Sequence, residues 1–218
     1  MKTIVIHNPK GGSGKSTLTV HMAETAERSG DGPAILADAD PQGSTADWFN
    51  QRKKANIDLP RYVDLSLSTC QEKVRDLDAA GAAYLFIDTT PSRAEKGSVN
   101  EALLRLADTI FIPLNPTAAD LRSLVKGLPL IRDSGKPFHF VLARVRPNLK
   151  NNDGTAAALE ALGLVLPTRM HERVIYSDTF AHGRTAFETE PKGPAVQELS
   201  ALWIDIKDKL HKQERKNS

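Results

Sequence analysis

Cysteine is almost absent: Cys70 is the single one in 218 residues. No disulfide can close within the chain, and a setting that keeps thiols reduced is expected. A long apolar run is missing as well. No stretch reaches the roughly 18 to 20 uninterrupted apolar residues of a membrane-spanning helix. The N-terminus lacks the apolar core of a secretory signal, so a cytoplasmic protein without membrane insertion is expected. Nor is there an excess of one charge: 29 Lys and Arg against 27 Asp and Glu leave +2, which speaks against wholesale disorder and names no partner class. Internal repeats and low-complexity linkers are missing too. With 40% hydrophobic residues, the length suits one packed domain over residues 1–218.

What is there alternates. Thr3-Ile4-Val5-Ile6-His7 is a short apolar, β-branched run that stops at Asn8-Pro9 and reads as a buried strand. From Ser16 to about Arg28, Leu18, Val20, Met22, Ala23 and Ala26 recur at helical spacing until Ser29-Gly30-Asp31-Gly32-Pro33 breaks the pattern. Further strand-like runs at 34–37, 84–87, 109–112 and 138–142 alternate with helical patterns near 44–53, 97–107 and 118–133. This alternation predicts an α/β fold, a doubly wound and mostly parallel sheet with helices on both faces. Further on, 153–162 reads as helix, Leu164 to Met170 as strand and Lys192 to Leu210 as helix.

Between the first strand and the first helix lies Lys10-Gly11-Gly12-Ser13-Gly14-Lys15-Ser16-Thr17. A glycine-rich turn here lets backbone N–H groups converge on a phosphate at the positive end of the helix dipole. Gly11, Gly12, Ser13 and Gly14 supply that cradle, Lys15 reaches the β- and γ-phosphates, Ser16 ligates Mg²⁺, and Thr17 meets the α-phosphate of a bound ATP. The pattern G-x-x-x-x-G-K-[ST] is broken, since Pro9 stands where its first glycine belongs. The added Lys10 sits too far around the loop to duplicate Lys15. Two further segments end strands in acids: Asp38-Ala39-Asp40-Pro41-Gln42-Gly43, and Tyr84-Leu85-Phe86-Ile87-Asp88. Carboxylates at the carboxyl edge of such a sheet face the ligand crevice, and Asp88 is expected to hold Mg²⁺ through water. For Asp38, a direct role and a bond to the neighbouring loop both stand.

The loop K-G-G-S-G-K-S resembles that of the ParA/MinD group of deviant-Walker P-loop ATPases. The resemblance implies a phosphate loop at 9–17, a switch I region at 38–45 and a Walker B-like strand at 84–91. It implies that Lys10 crosses a dimer interface to the partner's nucleotide, so that the ATP state is a homodimer and Lys10, Lys15 and Asp40 are catalytic. There the cation would act much as an arginine finger does. Asp40, matching the second acid of the family's D-x-D-P-Q motif, would position the attacking water and touch the Mg²⁺ shell. Thr89 and Thr90 replace glycines that relatives carry after Asp88. Arg144 takes a place where relatives often contact adenine; a solvated strand-end charge is the alternative.

Within the family, Cys70 alone cannot supply the cluster ligands of the iron protein branch. Val196, Leu199, Leu202, Trp203, Ile206 and Leu210 make a stripe that is expected to pack on the sheet, and His211 to Ser218 has no apolar side chain, so a lipid anchor is not expected. DNA fits better. Arg122, Lys126, Arg132, Lys136, Arg144, Arg146 and Lys150 face one acid, Asp133, making that segment +6. Arg169, Arg173 and Arg184 are the expected DNA contacts, with Lys207, Lys209, Lys212, Arg215 and Lys216 beyond; solvated helix faces are the alternative. The phosphate loop begins ten residues in, with no N-terminal helix-turn-helix domain expected, which resembles the small, ParF-like plasmid-partition type. Its implied partners are non-specific nucleoid DNA and a centromere-binding ParB-like adaptor. Positioning of a protein assembly is the competing function.

Overall fold

The computed structural model of the chain describes residues 1–65, 68–91, 97–147 and 151–217, without side chains at 151–152 and 213–217. Lys150, Arg215 and Lys216 of the basic segments therefore lie outside the described side chains.

Seven strands run β1 Lys2–Ile6, β2 Ala34–Asp38, β3 Arg61–Asp64, β4 Tyr84–Asp88, β5 Thr109–Leu114, β6 Phe138–Leu142 and β7 Leu164–Val165. Their order across the sheet is β3-β2-β4-β1-β5-β6-β7, and every pairing is parallel. Helices α1 Lys15–Arg28, α2 Ser44–Lys54, α3 Cys70–Ala79, α4 Val99–Leu106, α5 Ala118–Asp133, α6 Asn151–Glu160, α7 Val174–Ala181, α8 Ala186–Thr189 and α9 Pro194–Asn217 complete the described elements.

Period-two alternation sends each central strand's side chains into two cores. Ile4, Ile6, Leu36, Phe86 and Phe111 join α1 and α9 on one face. Val5, Ile35, Leu85, Ile87, Ile110 and Ile112 join α4 and α5 on the other. Buried on both sides, these strands read as continuous apolar runs, which is why they were visible in the sequence. The α9 stripe behaves as expected: Leu199, Leu202, Trp203, Ile206 and Leu210 are all buried.

The differences lie at the edges. Strand β3 and helix α3 carry no sequence expectation because β3 is a half-exposed edge strand and α3 buries only Cys70. The strand expected from Leu164 to Met170 stops at Val165, just before Leu166-Pro167; a separate bridge then joins Val145 to His171. Pro113 sits inside a central strand, against the usual rule. Its last neighbour on the β1 side is already gone, since pairing of β1 with β5 ends at Ile6 and Phe111. The Pro113 carbonyl instead accepts the Asn8 side-chain amide at 2.7 Å.

Topology then fixes the site. Ile6 and Asp38 both pair with Asp88, so the phosphate loop leaves the sheet beside the two acid-tipped strands. Because β1 is flanked by β4 and β5, the chain departs in opposite directions there, making the crevice that α/β sheets use for ligands.

Candidate nucleotide site

The loop from Pro9 to Gly14 is shaped by positive backbone angles and by a helix behind it. Gly12 and Gly14 adopt φ of 70° and 93°, the left-handed region that side chains rarely enter. Gly14 is the N-cap of α1, so the open N–H groups of that helix face the crevice. Pro9, which breaks the sequence pattern, packs on α5: a Cβ at Gly127 would lie 2.8 Å from Pro9 Cγ. Two turns earlier on the same helix, Asp120 meets Lys10, Nζ to Oδ2 at 2.6 Å. Helix α5 thus supports the loop at two points.

Lys15 is buried to 6% exposure beneath the loop and donates to the Lys10 carbonyl at 3.5 Å. Burial lowers its pKa, while Asp88 and Asp40 oppose that shift. Asp88 is fully buried at the β4 end, and burial pushes it up to about 7, with the Asp38 charge adding and the Ser16 and Thr45 hydroxyls countering. Its Oδ2 accepts the Thr45 hydroxyl at 2.9 Å, whereas its Oδ1 is buried with no partner. Asp40 is half-buried, and its Oδ1 accepts the Gln42 N–H at 3.0 Å.

Asp38 makes the bond to the neighbouring loop. Its Oδ2 accepts the N–H groups of Thr45 and Ala46 at 2.8 and 3.1 Å, and its Oδ1 that of Asp40 at 2.9 Å. It thereby caps the first turn of α2 and shapes the turn bearing Asp40. Thr89 is buried; its hydroxyl donates to the Ile6 carbonyl at 2.9 Å and meets His7 Nδ1 at the same distance. It ties the end of β4 to β1.

Orphaned polar atoms gather at this end of the sheet. Ser13 Oγ, Asp88 Oδ1, Asn115 Oδ1 and Asp120 Oδ1 are buried without partners. Such atoms are rare in native interiors and call for a ligand or ion. Among the described residues no trio of His, Cys, Asp or Glu forms a metal cage. The donor set of Asp88, Ser16 and Asp40 fits Mg²⁺, which keeps several waters and takes few protein carboxylates beside substrate phosphates.

Next to the loop opens a cavity of about 420 Å³, bordered by Gly12, Gly14 and Thr17 and closed by Ala143, Arg144, Met170, His171, Val174 and Tyr176 among others. Its size lies in the range of small-ligand sites. Arg144 takes φ of 52°, directs one guanidinium nitrogen to the Gly12 carbonyl at 3.4 Å and another to Glu172 at the same distance. It stands at the mouth of the cavity.

With the loop, both acid-tipped strands and this cavity converging on one sheet edge, the comparison with known proteins is direct. Residues 4–186 match the CobQ/CobB/MinD/ParA nucleotide binding domain. The chain belongs to that family. It is 25% identical over 211 residues to the maintenance of carboxysome distribution protein A of Halothiobacillus neapolitanus, covering 94% of this chain and 95% of that one. It is 24% identical over 224 residues to protein ParA of Rhizobium radiobacter, covering 96% and 98%. The fold resembles that of the MinD cell division protein of Aquifex aeolicus, with a TM-score of 0.76 at 17% identity over 95% of this chain and 98% of that one.

Most of the basic residues expected to meet DNA are engaged in ion pairs or spread along α5. Arg122 lies in the second turn of α5 and Arg132 in its last, ten residues and so about 15 Å apart. Arg144 and Arg146 both pair with Glu172. Arg169 pairs with Asp153 at 2.9 Å, and Arg173 with Glu198. Arg184 differs, with an exposed side chain on a loop whose carbonyl accepts the Trp48 indole N–H at 3.0 Å. Among the described residues no helix is long and apolar enough to cross a membrane.

Sequence reasoning singled out Thr89 without foreseeing its bonds to Ile6 and His7, and gave no role to Thr45, Asp120 or His7. Thr45 carried a faint signal, lying just after Asp38-Ala39-Asp40 at a helix start. Asp120 carried none, because its meeting with Lys10 spans 110 residues.

Proposed function

We propose that this chain is a Mg²⁺-dependent ATPase that dimerises on ATP, holds nucleoid DNA without sequence preference and partitions plasmid or chromosomal DNA through a centromere-binding ParB-like adaptor. The observation that carries the ATPase reading is the convergence of Lys15, Asp40 and Asp88 around a phosphate loop with unsatisfied buried acceptors. When bound, Mg²⁺ would neutralise the Asp88 carboxylate and the phosphate charge together. Lys15 and the loop amides hold the phosphates, Asp40 orients the attacking water, and Arg144 borders the base. Lys10, on its exposed side of the loop, leaves Asp120 to act on the partner's nucleotide. Arg184 is the arginine best placed for DNA phosphates; Arg169 and Arg173 must first release Asp153 and Glu198.

The test is DNA retention with ATP, ADP or no nucleotide across a salt series. ATP-dependent, sequence-independent binding that falls steeply with salt is expected. Indifference to DNA in all three states defeats the partition reading. A Lys15→Ala protein with normal hydrolysis defeats the ATPase assignment. Lys10→Ala should keep ATP binding and lose ATP-dependent dimerisation, as read by light scattering with a non-hydrolysable analogue.

A second reading is that the cargo is a protein assembly, favoured by the nearly full-length likeness to a carboxysome distribution protein. The catalytic residues are the same in both. An adjacent gene for a small DNA-binding partner with DNA repeats favours partition, and a neighbouring organelle operon favours protein cargo.

A further inference from the structure

The far wall of the cavity beside the phosphate loop is built from residues 170–177, and one carboxylate on another helix holds it. The backbone of the wall is tied to the sheet only at its start: Met170 N–H donates to Leu142 at 2.9 Å, Val145 N–H to Met170 at 3.0 Å and Glu172 N–H to Val145 at 2.9 Å. Beyond that point its polar groups turn to Glu198 of α9. The His171 N–H reaches Glu198 Oε2 at 3.2 Å and His171 Nδ1 lies 2.7 Å from Oε1. Arg173 donates to both oxygens, and the Tyr176 hydroxyl meets Oε2 at 3.4 Å. Four groups from three residues thus share one carboxylate, and despite burial the Arg173 and His171 bonds hold its pKa below the usual carboxylate range.

The anchoring is two-point. Asp205, two turns on from Glu198 and so on the same helix face, accepts the Thr168 N–H at 2.9 Å. The wall also touches the phosphate-loop helix, since Tyr176 sits edge-on to His21 of α1 with ring centroids 5.1 Å apart. Facing the cavity, Ala143, Met170 and Val174 supply apolar surface, and Val174 is 72% exposed. An exposed valine beside an open cavity on the loop's flank suits the flat face of a base. Glu198 itself does not line the cavity.

We propose that Glu198 is a positioning residue for the nucleoside: from the C-terminal helix it sets the wall against which the base of the bound nucleotide packs, while the triphosphate is held independently by the loop. This rests on the reading of the cavity as the base site. It makes α9 part of nucleotide recognition, although no α9 side chain lines the cavity. It also accounts for Arg173, whose charge serves the wall while it is paired with Glu198.

The test compares binding of Mg²⁺-ATP with that of Mg²⁺-tripolyphosphate, which has the phosphates and no base. The full-length wild type should bind ATP the more tightly. Glu198→Ala should weaken ATP roughly tenfold and Glu198→Gln, which keeps the shape and one acceptor, roughly threefold, the scale of losing alignment in a preorganised site. Tripolyphosphate should bind both variants within about twofold of wild type, and in hydrolysis KM should rise with kcat unchanged. Equal weakening of both ligands would mark general damage and overturn the proposal, as would unchanged ATP binding in both variants. The Gln variant keeps the test open if the Ala protein folds poorly. A wild type that binds both ligands equally removes the base site and the proposal with it. One that binds neither overturns the ATP reading itself.

Discussion

Two buried charge clusters lie within this fold, and they are finished to different degrees. Around Arg52, which is 1% exposed, every guanidinium nitrogen has an acceptor: the Leu59 carbonyl, the Gly183 carbonyl at 3.1 Å, Glu24 at 2.6 Å and Glu188 at 2.9 Å. Burial raises Glu24 to about 7, and Glu188, in spite of burial, is drawn down to about 2 by its bond with Glu24, by Arg52 and by Thr185. This cluster clamps α2 to α1 and to the 183–188 turn. At the phosphate loop, by contrast, Ser13, Asp88 and Asp120 each keep a buried oxygen unpaired. A satisfied cluster locks the fold, and an unsatisfied one carries a standing cost that a ligand removes.

The comparison breaks first at Arg52. Arg52→Met leaves Glu24 and Glu188 with Arg28 as their one remaining cation and strands the Leu59 and Gly183 carbonyls, and should cost about 3–5 kcal/mol of stability, measured by urea unfolding. A loss under about 1 kcal/mol would show that the clamp is ornamental.

Asp88→Asn should do the opposite to the nucleotide-free protein. With its folded pKa raised from 3.8 to about 7, Asp88 binds more protons folded than unfolded between those values. Its contribution is therefore fully present below about pH 4 and is lost as pH rises through 7. At pH 8 the Asp88→Asn protein should be more stable than wild type by on the order of a few kcal/mol, with the difference vanishing near pH 4. The same variant should gain nothing from Mg²⁺-ATP beyond ATP alone. A pH-independent difference between the two proteins would remove Asp88 burial as its cause.

Overpacking gives a smaller effect. Gly127→Ala places a methyl 2.8 Å from Pro9, so about 1–3 kcal/mol should be lost, together with weaker ATP binding through the displaced loop. If thermal stability falls and the ATP Kd stays fixed, α5 supports the fold and not the loop. The mildest change is Asp120→Asn, which keeps the contact with Thr117 and frees the half-exposed Lys10. With Lys10 half-exposed and Asp120 buried, the pair is worth on the order of 1 kcal/mol, so the protein concentration needed for ATP-dependent dimerisation should fall about fivefold in light scattering. An unchanged midpoint would mean that the Lys10 pair does not hold back the dimer.

Much of this was legible. The central strands announced themselves because both their faces are buried, and the loop because glycine, lysine and hydroxyl residues lie within eight consecutive positions. Edge elements were not: β3 and α3 bury too little to impose a period, and Pro167 ends a strand whose apolar run continues past its pairing. The basic segment from Arg122 onward read as one charge because sequence distance hides that α5 sets Arg122 and Arg132 about 15 Å apart.

The sequence by itself determined the local chemistry: a phosphate cradle with two lysines, acids at two strand ends and an alternation that admits a parallel sheet. These depend on neighbours a few residues apart. Only the tertiary structure decided which charges are free. Lys10 with Asp120, Arg52 with Glu24 and Glu188, and Arg173 with Glu198 meet across separations of 25 to 136 residues, beyond the reach of any local pattern. Burial and pairing are properties of the packed whole, and they separate an arginine that clamps the fold from one that can meet a partner.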